Sequence, residues 1–323
     1  MTDLHRISII IPVYNAENTI SRLVDELIVN LKQRYTLEIV LVNDRSQDTS
    51  EQVCGDIYKD NPAIIRFLSL AKNVGEHNAV MAGLNHVTGE YAVIMDDDFQ
   101  NPVGEVERLV DYAIQTQHDV VYTYYEKKEH SLFRNLGSRF NDKVANLMLN
   151  KPSDLYLSSF KIIKQTLIQE IIKYDLPYPY IDGLILRATD DIGRLKVKHV
   201  PRGEGKSGYT FRKLASLWLN MFTNFSVLPL RFATLLGFLF AGLGFMFGIL
   251  AIIERVIQPG LPQGYTFMFV FIAVISGVQL ISIGLLGEYM GRLFLSQSKK
   301  PQYIIRSAYL DPSSNSHETH FDN

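Results

Sequence analysis

Short apolar runs punctuate the first part of the chain: ISIIIPV (7–13), LEIVLVN (37–43), IIRFLSL (64–70), YAVIMD (91–96) and DVVYTYY (119–125). Their length, β-branched content and lack of alternation predict strands buried on both faces. Between them, segments 16–33, 46–60, 75–89 and 103–117 carry apolar residues at helical spacing. Strand–helix alternation of this kind predicts an α/β domain with a mostly parallel central sheet covered on both sides, over residues 1–208. In such sheets ligands bind beyond the carboxyl ends of the strands. The polar residues that end the runs are therefore the candidates: Tyr14 and Asn15, Asn43 and Asp44, Lys72 and Asn73, and Asp96 to Asp98.

The pattern changes after residue 208. Segments 227–253 and 265–295 are almost wholly apolar, with only Arg231 charged in the first and no charge before Glu288 in the second. Each exceeds the ~20 residues that cross a bilayer, so two transmembrane helices are expected over 227–295, joined by the short Pro- and Gly-containing link ERVIQPGLPQG. Lys206, Arg212, Lys213 and Arg231 flank the first span, and Arg292, Lys299, Lys300 and Arg306 flank the second, whereas the link has only Arg255. The basic bias predicts both termini in the cytoplasm and a two-span protein of the cell (inner) membrane. Residues 209–226 mix basic residues with Trp218 and Phe225 and read as an interfacial amphipathic helix. Residues 296–323 read as a cytosolic tail, polar and disordered from Asp311 onward.

Composition narrows the chemistry. A formal net charge of −2 over 323 residues gives no case for nucleic acid, and Cys54, the only cysteine, excludes a disulfide framework and a cysteine metal cluster. The N-terminal apolar stretch is too short for a secretory signal. No Walker loop or Rossmann glycine fingerprint follows the first strand; PVYNAE stands there instead.

Three consecutive aspartates, Asp96 to Asp98, end the fourth strand. Like charges there call for a divalent cation, a set of turn and cap hydrogen bonds, or a salt-bridge cluster. If the chain stays extended, Asp96 and Asp98 share a side, suited to Mg²⁺ or Mn²⁺ on a diphosphate with Gln100 adding an oxygen; turn chemistry before Pro102 is the alternative. Asp44 in VNDRSQDTS suits a base or ribose, or belongs to ordinary helix capping. Gly75, Ala79, Ala82 and Gly83 in NVGEHNAVMAG read as residues for close helix–sheet packing. Arg134 and Ser138 are four apart, a spacing that predicts one face of a helix and suits a phosphate, or a solvated face. The glycine-containing stretch 201–211, with Arg202, Lys206 and Ser207, reads as a loop that closes over an anionic substrate or as a linker made basic by lipid headgroups.

IPVYNAE, VNDRSQD, NVGEHNAVMAG, MDDDFQNP, SDLYLSSFK, RGEGKS and the two apolar spans, in this order, resemble the family 2 glycosyltransferases, and within them the polyprenyl-phosphate glycosyltransferases. The resemblance implies a GT-A fold and an inverting transfer from a nucleotide sugar to a polyprenyl phosphate on the cytoplasmic face. It matches Pro12, Tyr14, Glu17, Asp44 and Asp96 to nucleotide binding, and Asp96, Asp98 and Gln100 to the metal, Mg²⁺ or Mn²⁺. Arg134 and Ser138, with Lys206, match the acceptor phosphate, and Arg202 the closing loop; Asp154 is a candidate to orient the acceptor. Asn43, Lys161 and Gly208 depart from the family pattern, and Trp218 lacks the Q-x-x-R-W context of processive synthases. The expected reaction is transfer of glucose from UDP-glucose to undecaprenyl phosphate, with GDP-mannose, UDP-amino-arabinose and UDP-GlcNAc as alternative donors. A non-catalytic membrane scaffold is the contrasting class. Expected partners are the nucleotide sugar, the lipid phosphate, the membrane and a second copy of the chain.

Overall fold

The computed structural model describes residues 4–125, 152, 155–177, 179–198, 200, 228–257, 265–297 and 301–310. The chain divides into two units, one of 1–208 with 300–323 and one of 209–299.

The first unit is built on a single sheet of eight strands: β1 (Arg6–Val13), β2 (Thr36–Asn43), β3 (Ile65–Leu70), β4 (Tyr91–Ile94), β5 (Val120–Tyr124), β6 (Lys161–Lys164), β7 (Ile192–Lys196) and β8 (Ile305–Tyr309). Their spatial order is β7-β5-β6-β4-β1-β2-β3-β8. The pairs β4–β1, β1–β2, β2–β3 and β5–β7 are parallel. β6 runs antiparallel to β4 and β5, and β8 antiparallel to β3. The sheet is thus mostly parallel, as the alternating pattern predicts.

Helices α1 (Ile20–Leu31), α2 (Ser50–Asp60), α3 (Glu76–Leu84) and α4 (Val103–Thr116) connect the first five strands, and the shorter α5 (Gln165–Ile171) and α6 (Ile181–Ala188) follow β6. α1 buries Ile20, Leu23, Val24, Leu27, Ile28 and Leu31, the stripe its spacing predicts. α3 has little stripe of its own and relies on small residues. A Cβ on Gly83 would lie 2.5 Å from Ile10 Cγ2, so glycine lets this helix approach β1 closely.

Strand order reverses between β1 and β4, because β2 and β3 continue from one side of β1 while β4 lies on the other. β4 stops at Ile94, and its last bond to β1 is Met95 N–H to Ile10 O at 3.1 Å. Pro12, with no N–H to offer, sits one step beyond, where β4 has peeled away from β1. The gap is a topological switch point, the crevice where α/β sheets bind ligands.

The second unit contains α7 (Leu228–Ile257) and α8 (Tyr265–Gln297), 30 and 33 residues long. Windows Ala233–Leu250 and Val274–Gly291 are long and apolar enough to cross a membrane and are unburied by protein. Leu235, Phe238, Phe245, Leu280, Ile281 and Phe294 are exposed, an arrangement suited to lipid rather than water. The two helices pack together where Gly244 of α7 meets the Phe271 ring; a Cβ there would lie 3.1 Å from it.

Candidate active site at the switch point

Each of the four central parallel strands is followed, at its carboxyl end, by a residue with left-handed backbone: Asn15 after β1 (φ 55°), Arg45 after β2 (φ 56°), Gly75 after β3 (φ 87°) and Phe99 after β4 (φ 59°). Glycine and asparagine adopt this conformation readily; arginine and phenylalanine do so at a cost, and such residues cluster at functional sites. Phe99 is held by packing against the core, and the Arg22 guanidinium lies 4.9 Å over its ring.

The loops after β1 and β2 are zipped together. Asn15 Oδ1 accepts from Gln47 N–H (2.8 Å), Ser46 Oγ accepts from Asn15 N–H (3.1 Å), and Ser50 Oγ accepts from Ala16 N–H (2.8 Å). Glu17 Oε2 accepts from Thr49 N–H at 2.9 Å and from the Thr49 hydroxyl at 2.5 Å, at the start of α2. Glu17 therefore braces one loop against the other. Tyr14, by contrast, is 45% exposed beside the crevice, available to a planar base.

Asp44 is buried, with both carboxylate oxygens engaged: Oδ1 accepts from Val74 N–H (2.7 Å) and Oδ2 from Gly75 N–H (2.9 Å). Burial raises its pKa, against the effect of these two bonds. The carboxylate thereby pins the loop before α3 to the end of β2. Its partners lie some thirty residues away, a contact that local spacing does not announce.

The acidic loop departs from the extended geometry on which same-side placement of Asp96 and Asp98 rests. The strand ends at Ile94, and residues 97–100 form a bend in which Asp98 Oδ1 accepts from Gln100 N–H at 3.1 Å. Asp97 Oδ2 accepts from Tyr14 N–H (3.3 Å), joining this loop to the one after β1 across the crevice. Asp96 Oδ2 accepts from the Ser159 hydroxyl at 2.7 Å, just before β6. Ser159 lies within SDLYLSSFK, but nothing local to that stretch identifies its partner.

Negative charge concentrates here. Glu76 opens α3 and is exposed as a residue. Burial, then repulsion from Asp96, lifts its carboxyl to about 7, with Lys161 opposing. Beside it, His77 packs edge-on to Tyr180 (5.1 Å), and burial depresses its imidazole to about 4, so it is neutral at physiological pH. Near them lies a buried cluster: Lys161 Nζ bonds to Asp182 Oδ1, which also accepts from the Tyr122 hydroxyl at 2.8 Å. The Lys161 ammonium stands 5.0 Å over the Tyr122 ring.

Among the described residues, no three or more His, Cys, Asp or Glu side chains converge as a complete protein-only metal centre. A divalent ion that bridges a diphosphate needs less from the protein, typically one or two carboxylates, since phosphate oxygens and water complete its shell. Asp96 and Asp98 at the crevice fit that donor set. Arg134, Ser138, Asp154, Arg202 and Lys206, and the interfacial helix expected over 209–226, lie outside the described residues.

A family model for glycosyl transferase family 2 matches residues 8–172. The undecaprenyl-phosphate 4-deoxy-4-formamido-L-arabinose transferase of Aeromonas hydrophila is 32% identical over 323 residues, covering 95% of this chain and 96% of that protein. The protein of the same name from Pectobacterium carotovorum is 31% identical over 314 residues, covering 94% of each chain. That from Klebsiella pneumoniae is 29% identical over 318 residues, covering 97% of this chain and 96% of its own.

Proposed function

The chain belongs to glycosyl transferase family 2, and from that premise we propose that this glycosyltransferase moves a sugar from a nucleoside diphosphate to undecaprenyl phosphate at the cytoplasmic face of the inner membrane. The observation that carries this reading is the end-to-end similarity, through both apolar helices, to transferases of that name. Those relatives are named for 4-deoxy-4-formamido-L-arabinose, which favours a donor of the UDP-amino-arabinose type over the glucose, mannose and GlcNAc donors. The crevice geometry supports the donor side. Tyr14 would stack on the base, Asp44 would hold the loops that frame the ribose, and Asp96, Asp98 and Gln100 would meet the diphosphate through Mg²⁺ or Mn²⁺.

The reaction is a single in-line displacement. A lipid-phosphate oxygen forms the new bond to the anomeric carbon as the bond to the nucleoside diphosphate breaks, and the configuration inverts. The acceptor is already anionic, so no strong base is required of Asp154. A bound divalent ion would neutralise charge growing on the leaving diphosphate. The chain's own contribution is placement. Asp97 ties the acidic loop to Tyr14, Ser159 orients Asp96, and Phe99, with its left-handed backbone, lies in the bend between Asp98 and Gln100. Arg134 and Ser138 would take the acceptor phosphate, and Arg202 and Lys206 would close over the anions.

Purified protein in vesicles containing undecaprenyl phosphate should yield lipid-extractable label from one of a panel of labelled nucleotide sugars, with the 4-formamido- or 4-amino-arabinose donor turned over fastest. Label from none of them would overturn the transferase reading; faster turnover of UDP-glucose would overturn the choice of sugar.

The strand β8 supports a two-span hairpin. The chain leaves the first unit before α7 and has rejoined its sheet by Ile305, so α7 and α8 together cross an even number of times. Basic flanks put that unit in the cytoplasm. A cysteine at Gln263 should react with a membrane-impermeant thiol reagent from outside intact cells, and one at Ser313 only after permeabilisation. Cys54 is fully buried, its thiol pushed up to about 12 by burial, so it adds little background. Labelling at Ser313 in intact cells would refute the hairpin.

A further inference from the structure

β8 does more than cover an edge. Arg306, at its second position, pairs with Glu51 in the first turn of α2, and the same guanidinium reaches Ser69 Oγ at 3.4 Å. The Ser69 hydroxyl donates to Glu51 at 2.8 Å and sits 3.3 Å from the Asn43 amide nitrogen. Asn43, fully buried at the end of β2, accepts from Ser46 N–H at 3.1 Å. Ser46 in turn accepts from Asn15 N–H, in the loop after β1. Side chains, with the backbone N–H groups of Ser46 and Asn15, thus form a hydrogen-bonded path from the strand beyond the membrane helices to the two loops flanking the crevice. Tyr309 fixes the far end of the strand: its ring stacks on Phe67 at 5.8 Å and tilts against Tyr58 at 5.4 Å. Burial works against ionisation of Glu51, but its bonds to Arg306 and Ser69 prevail and hold its carboxyl below the usual range.

We propose that Arg306 is a positioning residue for the donor: the strand that follows the membrane hairpin sets residues 43–46 in their nucleotide-binding geometry through Glu51, Ser69 and Asn43. This rests on the donor site lying at the ends of β1 and β2, as under the proposed function. The Arg306–Glu51 step is the one in the path where both partners carry charge, which makes it the strongest single link. With Arg306 gone, Glu51 loses its cation and competes differently for the Ser69 hydroxyl, and the change passes to Asn43 and the Ser46 amide. The path ends at the loops after β1 and β2 and includes none of the residues assigned to the acceptor phosphate, so the acceptor side should not feel it.

The full-length protein, reconstituted with undecaprenyl phosphate, should show a donor KM raised roughly tenfold in Arg306→Ala, with kcat within about twofold and the KM for undecaprenyl phosphate unchanged. UDP binding by calorimetry in the presence of Mg²⁺ should weaken by the same factor. Arg306→Lys should recover most of the loss, since it restores the charge to Glu51. Glu51→Gln, which keeps an acceptor for Ser69 but loses the ion pair, should reproduce part of it. Unaltered donor KM and UDP affinity in Arg306→Ala would overturn the proposal, and so would equal losses on donor and acceptor sides accompanied by a lowered melting temperature, which would mark general destabilisation. If the wild-type protein bound no nucleoside diphosphate at all, the transferase reading itself would fall, and this inference with it.

Discussion

Asp98→Asn and Asp98→Ala should abolish transfer alike, by at least about a thousandfold, and EDTA should do the same to the wild-type protein. The asparagine variant is the informative one. Asp98 Oδ1 accepts from Gln100 N–H within the bend after β4, and turn chemistry of that kind accounts for an aspartate without any metal. Asparagine keeps that oxygen and so keeps the turn, but it removes the negative charge. If the turn were the whole role, Asp98→Asn would stay active while Asp98→Ala lost activity through a disordered loop. If the carboxylate meets a diphosphate through a divalent ion, both fail, and Asp98→Asn does so while melting like the wild type. Turnover and thermal denaturation on the same preparations separate these cases. Activity of Asp98→Asn in the presence of EDTA would dispose of the metal role.

Lys161→Met should cost about 3–5 kcal/mol of stability, read from denaturant unfolding of detergent-solubilised protein. Lys161 and Asp182 are 4% and 7% exposed, so the pair is desolvated, and removing the ammonium strands a carboxylate with only the Tyr122 hydroxyl to satisfy it. The sign with pH follows. A stranded carboxylate holds its proton more tightly in the folded protein than in the unfolded chain, so the native state binds more protons and stability falls as pH rises. The deficit of the variant should therefore be largest at neutral pH and shrink in acid. Adding Asp182→Leu should return much of the loss, because an apolar pair avoids the uncompensated charge. A deficit independent of pH, or a double variant no better than the single, would show that Lys161 acts through packing alone. Since Ser159 holds Asp96 two residues before Lys161, loss of this cluster should also loosen the acidic loop.

Much of the first unit is written in local pattern. β1, β2 and β3 are continuous β-branched runs because both faces are covered, and α1 and α4 show their buried stripes. The apolar helices α7 and α8 are legible for a simpler reason, since nothing polar interrupts them. The strands that escape notice are those whose identity depends on distant partners. β6 is only Lys161–Lys164, a lysine at each end, and becomes a strand by inserting antiparallel between β4 and β5. β8 reads IRSAY, a half-exposed edge with no apolar run, placed beyond two membrane helices. The site divides the same way. The positions at strand ends follow from the α/β rule, which brings Tyr14, Asp44 and the aspartates to one edge. That Asp44 would bind the α3 loop, that Glu17 would brace α2, and that β4 would stop short of Asp96 depend on backbone groups far along the chain.

The path of β8 also has a consequence in time. Arg306 and Glu51 are 255 residues apart, and a ribosome makes β8 only after it has made both membrane helices. Until then the outer edge of β3 presents unpaired N–H and C=O groups, a template for other strands. Contacts so distant in sequence also form slowly. Delivery of the helices to the bilayer therefore comes before completion of the eight-stranded sheet, and a chain stalled between α8 and β8 would carry an open edge next to a finished core. Such a chain is the species most exposed to aggregation and to proteases, so faults in membrane insertion should surface as loss of the sheet-bearing unit of the protein.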